Sequence, residues 1–162
     1  MSEKTAKRRD GLIEVTIDEV SIGRGAPDQE HERAIAIYDL VEEGGISIPG
    51  LDQGPYALRV ALHDAKLTLQ VSPSSGAAGV SHVLSLAPLR SLLKDYFLVC
   101  ETYYASIRDA TPARIEALDR SRRAIHDEAA AVVRERMAGK IDFDADTARR
   151  LFTLIAALRW KG

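Results

Sequence analysis

The chain has 162 residues, 46% hydrophobic and 28% charged, which suits one globular domain with a real core and leaves too little for a second. A net charge of −2 and a pI near 6.1 exclude a protein whose whole surface attracts nucleic acid or anionic lipid. No run reaches the ~20 apolar residues that a membrane span needs, and one cysteine, Cys100, excludes an internal disulfide and a cysteine-based metal site.

Residues 1–10 hold the basic cluster Lys4, Lys7, Arg8 and Arg9 and little to bury, so they read as a disordered basic tail before a single domain over 11–162. No apolar segment follows that cluster as in a signal peptide, and a cytoplasmic, reduced setting is expected. Leu12–Asp18 alternates apolar and polar residues and predicts a half-buried strand. Ser21–Gly25 breaks the pattern. Pro27 then starts a helix that Gly44 and Gly45 end, with Asp28, Glu30 and Glu32 near its positive end.

Ile46–Gly54 is turn-rich. Tyr56–His63 and Lys66–Ser72 both keep period two around Asp64 and Ala65, which predicts an antiparallel hairpin. A loop over 73–79 leads to a third short run, VSHVLS. From Ser85 to Asp109 the apolar residues Leu89, Leu92, Leu93, Tyr96, Phe97, Cys100, Tyr103, Tyr104 and Ile107 recur at helical offsets. That spacing predicts a long amphipathic helix with one buried face, central to the core and carrying a buried thiol at Cys100. Thr111 and Pro112 then open a helix that reaches about Gly139, and Asp144 or Asp146 opens a last one with Ala148, Leu151, Phe152, Ile155 and Leu158 on one face. The fold class is α+β: a small antiparallel sheet, in the order strand, helix, strand, strand, strand, packed against three C-terminal helices.

Polar residues inside these apolar stripes are the candidates for chemistry. In the helix from Pro112 the stripe Ile115, Leu118, Ile125, Ala129 and Val132 also contains Arg122 and His126. A guanidinium and an imidazole one turn apart on a buried face require partners, with Asp119 or Glu128 in reach. His31, one turn before Ile35, is expected on the inward side of its own helix and completes a candidate polar pocket of His31, Arg122 and His126. Such a pocket would bind an anion through Arg122 and handle a proton through a histidine.

Residues 1–85 carry 8 Lys/Arg against 13 Asp/Glu, and residues 86–162 carry 14 against 11. Arg90, Lys94, Arg108 and Arg123 are therefore candidate polyanion contacts on the helical half. Trp160 falls on the side of the last helix opposite Leu151 and Ile155, which makes it, with Arg149, a candidate partner contact. No HExxH, GxSxG, GxGxxG or phosphate-binding GKS/GKT word is present. No catalytic residue, metal or cofactor is assigned.

The words IGRGAPDQEHERA, DQGPY, LSLAPLRSLLKDYFLVCETYYASIR, RRAIHDE and DTARRLFTLIAALRWKG occur together and in order, and the chain is similar to the UPF0262 family of uncharacterised bacterial proteins. The resemblance runs from Leu12 to Gly162. It implies a bacterial cytoplasmic protein and transfers no catalytic residue. The leading expectation is a non-enzymatic binding or adaptor module that meets a protein partner, or a second copy as a homodimer, through its helical half. An RNA- or ribosome-associated protein and an enzyme with an anion-binding His/Arg pocket are the alternatives.

Overall fold

The computed structural model describes residues 10–51 and 54–158. The basic cluster at Lys4, Lys7, Arg8 and Arg9 and the candidate Trp160 lie outside the described residues. Strand β1 (Leu12–Ile17) leads to a short helix α1 (Glu19–Ile22), α2 (Pro27–Glu43), β2 (Ile46–Ser47), β3 (Tyr56–His63), β4 (Lys66–Pro73) and β5 (Val80–Ser85). A 3-10 turn at Ala87–Leu89 opens the helical half, with α3 (Arg90–Ser106), α4 (Pro112–Met137), β6 (Asp142–Phe143) and α5 (Ala145–Ala157).

Local chemistry accounts for the boundaries. Asp18 caps α1 by accepting from the Ser21 N–H at 3.2 Å, which turns part of the glycine-broken stretch after β1 into helix. Gly44 ends α2: its N–H donates to the Leu40 carbonyl at 2.8 Å, and a Cβ there would lie 2.3 Å from that oxygen. Thr111 caps α4 through the Arg114 N–H at 3.2 Å, and Asp144 caps α5 through the Thr147 N–H at 2.7 Å. Between β3 and β4 the two-residue turn places Asp64 at φ 56°, a left-handed conformation that an aspartate tolerates.

The sheet has the order β1-β3-β4-β5. The β3–β4 and β4–β5 pairs are antiparallel, as expected. β1, however, runs parallel to β3, so the sheet is mixed and not purely antiparallel. Period-two alternation marks a strand and one buried face but carries no information on the direction of its neighbour. One face buries Tyr56, Leu58, Val60, Leu67, Leu69, Val71 and Leu84; the other exposes Arg59 and Gln70.

The centre of the core is α5. Leu151, Phe152, Leu154 and Ile155 are all fully buried, and the helix packs against both α2 and α4. α3 holds a different place from the expected one. It buries Leu92 and Leu93, but of residues 94–128 Leu118 alone is buried. The outer half of α3 and the first half of α4 therefore form a helical hairpin that stands away from the sheet. Amphipathic spacing identifies the apolar face of a helix; what covers that face is decided elsewhere in the chain.

Candidate functional site

The overhang of α3 leaves a cleft of about 290 Å³ between four helices. Ile35 and Ala36 of α2, Tyr96, Phe97 and Tyr104 of α3, and Ala156 of α5 supply apolar walls. Glu32, Glu101, Arg122 and Thr153 add polar groups, and Cys100 lines the same space. The thiol is half-buried and not sealed in the core. Tyr96 is close enough to Cys100 to feel it, and burial followed by that neighbour pushes the Tyr96 hydroxyl above the ordinary tyrosine range.

Arg122 lines the cleft but is already engaged. Its Nη2 donates to Asp119 Oδ1 at 2.7 Å, and its guanidinium carbon lies 5.5 Å from the centre of the Tyr103 ring. Burial opposes the charge, but the Asp119 hydrogen bond and charge outweigh it and hold the guanidinium above its ordinary pKa. Glu128, the other candidate partner, is exposed.

His126 lies one turn further along α4, stacked near Tyr96 at 5.0 Å and edge-on to Phe152 at 5.7 Å between ring centres. The Thr153 hydroxyl donates to the Arg149 carbonyl at 3.1 Å and lies 3.4 Å from His126 Nε2. With its own proton committed, Thr153 Oγ1 is left to accept, which assigns the ring proton to Nε2. Burial, then the positive charges of Arg122 and Arg149, push the imidazole below its ordinary pKa against a weaker pull from Asp127. His126 is a neutral, packed ring at pH 7.

His31 does not join them. It is exposed, as is Ile35, the residue that marks the expected inward side of α2. The buried positions of that helix are Arg33, Ala36 and Leu40. Helical rotation of about 100° per residue then puts Glu32, and not His31, against the cleft. An inward stripe that begins with an arginine reads as polar, which is why periodicity selects the wrong face here.

Arg33 itself is the residue that sequence reasoning missed. It is 5% exposed, and its guanidinium donates to the Ala157 carbonyl at 3.2 Å, the Gly23 carbonyl at 2.9 Å and Glu30 Oε2 at 3.0 Å. Glu30 Oε2 also accepts the Gly25 N–H at 2.6 Å. One side chain thus ties the loop after α1, the first turns of α2 and the end of α5. The space beside it, lined by Thr16, Ile17, Glu19, Glu30 and Arg33, adjoins an arginine whose Nε and Nη1 already donate within the fold.

The other basic candidates are spread out. Arg90 and Lys94 are exposed on α3, and Arg108 is exposed just beyond its end. Arg123 pairs with Asp119 at 3.2 Å, and Arg149 pairs with Asp127 at 3.1 Å and with Asp146. No helix of the described residues is long and apolar enough to cross a membrane.

The model of the uncharacterised protein family UPF0262 matches residues 9–161. The chain belongs to the UPF0262 family. Curated UPF0262 proteins include one from Rhodopseudomonas palustris that is 51% identical over 151 residues, covering 93% of each chain. Another, from Nitrobacter winogradskyi, is 50% identical and spans 100% of this chain and 99% of its own. A third, from Methylobacterium radiotolerans, is 51% identical over 93% of this chain and 94% of its own. No solved structure matches the chain. Membership in UPF0262 identifies the chain and leaves its activity to the geometry above.

Proposed function

We propose that this UPF0262 protein is a non-enzymatic binding module, an adaptor that receives a protein partner on the outer half of the α3–α4 hairpin and in the adjoining cleft. The observation that carries this is the apolar surface left open there. Tyr104 is 71% exposed and Ile35 is 49% exposed, both on the cleft wall, and Ile107 is exposed just past the end of α3. Large apolar side chains gathered around a concave site mark a contact surface more often than a solvated one. A partner that fits presents an apolar anchor to the cleft and a basic group towards Glu101 on its wall.

The other two functions have less to support them. An anion at Arg122 would meet a guanidinium already paired with Asp119, and His126 is packed against Tyr96 and Phe152. Among the basic candidates, Arg123 already faces an acid. The test is affinity isolation with the full chain against Tyr104→Glu and Ile107→Glu variants, followed by reconstitution with the purified partner. A protein that binds the wild-type chain and is lost from both folded variants is expected. Equal retention by all three would remove the proposal.

A further inference from the structure

The α3 wall of the cleft repeats, in an open position, a pairing that the chain already uses within the hairpin. Arg122 holds its guanidinium carbon 5.5 Å from the centre of the Tyr103 ring, while Nη2 donates to Asp119 at 2.7 Å. One tyrosine and one carboxylate together hold one arginine. Tyr104, whose ring meets that of Tyr103 edge-on at 5.7 Å, is three residues from Glu101, and both line the cleft. Residues at that spacing share a helix face. Tyr104 and Glu101 therefore present a second tyrosine and a second carboxylate on one face, and both are exposed.

The charge of the cleft favours a cation. Glu32 from α2 and Glu101 from α3 line it together with Arg122, whose own charge faces Asp119. A protein seated on the apolar walls at Ile35, Phe97 and Tyr104 takes the Glu101 carboxylate out of water. An apolar or acidic side chain set against it would leave that charge covered without a counter-ion, which opposes binding. Of the two common cations, lysine brings a compact ammonium. Arginine brings a plane that stacks on a phenol ring while its edge meets a carboxylate at two points. The cleft, at about 290 Å³, is at the small end of the roughly 300–1,000 Å³ of small-molecule sites, which suits one long side chain.

We propose that the cleft receives an arginine side chain of the protein partner, its guanidinium stacked on Tyr104 and paired with Glu101. The assignment rests on the adaptor function proposed above and specifies the basic group that its partner carries.

Nα-acetyl-arginine amide, its lysine counterpart and its neutral citrulline isostere, each titrated into the isotopically labelled full chain at low ionic strength, test the shape and the charge of the side chain separately. Saturable amide shifts over residues 97–104 are expected, with arginine binding more tightly than lysine and citrulline failing to saturate. Glu101→Gln should weaken arginine binding by about three- to fivefold, as for an exposed ion pair, and Tyr104→Leu should remove its advantage over lysine. Glu135→Gln, the same loss of charge at an exposed position of α4, should change nothing. No saturation by arginine, citrulline equal to arginine, or equal effects of the two glutamine variants would overturn the proposal. The purified partner separates this outcome from a failure of the adaptor function. Loss of the partner from Tyr104→Glu and Ile107→Glu, with full retention by a folded Glu101→Arg variant, would overturn the arginine and leave the adaptor function standing. Full retention by Tyr104→Glu and Ile107→Glu would remove the adaptor function; saturation by arginine amide would then mark a site for a free guanidinium compound and overturn the partner as its source.

Discussion

His126 is a residue whose surroundings decide its protonation. Its ordinary pKa of 6.5 is lowered by burial and by Arg122 and Arg149, with Asp127 pulling the other way, while Tyr96 and Phe152 pack against the ring. The folded chain resists a proton that the unfolded chain accepts, so the unfolded state binds more protons below about pH 6.5. Stability should therefore be fully present at neutral pH and fall as the pH drops through 6.5 towards the depressed folded value. Urea midpoints of wild type and His126→Gln, compared between about pH 7 and pH 5.5, measure this contribution. The wild-type midpoint should fall more than that of the variant; parallel falls would show that the ring carries no linkage. The requirement for a satisfied Arg122 beside this histidine was legible in the sequence, and Asp119 meets it. Nothing in the spacing revealed Thr153, which comes from another helix and sets its hydroxyl 3.4 Å from His126 Nε2.

At the level of elements, α3 and α5 exchange the roles that their patterns suggest. α3 has a longer apolar run, but only its beginning lies over the core, whereas α5 is buried along most of its length. A helix of 17 residues extends about 25 Å, and among the described residues the outer part of α3 packs chiefly on α4. Phe152→Ala, in the centre of α5, should lower stability by about 3–5 kcal/mol. Tyr104→Ala, on the outer part of α3, should change it by less than about 0.5 kcal/mol. Denaturant unfolding of both variants makes the comparison, and a large loss at Tyr104 would place the hairpin inside the cooperative core. The hairpin of β3 and β4, the limits of α2 and the glycine stop at Gly139 were all readable from local rules. The parallel partner of β1 and the exposure of α3 were not, because both depend on contacts between segments distant in sequence.

Across the whole molecule, one continuous cluster of buried residues runs from Leu12 and Val15 in β1 through the sheet to Met137 in α4 and Leu158 after α5. Sheet and helices therefore share a core, and neither layer has a separate one to fall back on. Arg33 adds a polar tie between α2, the loop after α1 and the end of α5, holding the Gly23 carbonyl at one end and the Ala157 carbonyl at the other. Such an arrangement should unfold in one transition, with secondary structure and aromatic packing lost together. Arg33→Met keeps much of the apolar stem but removes the donors, leaving buried carbonyls with fewer partners at a cost of about 2–3 kcal/mol. Because the layers remain joined by apolar contact, the midpoint should drop while the slope with denaturant stays the same. Far- and near-ultraviolet circular dichroism followed through one urea series tests both points. Separate transitions for the two signals, or a changed slope in the variant, would mean that the layers are held together by Arg33 more than by their common core.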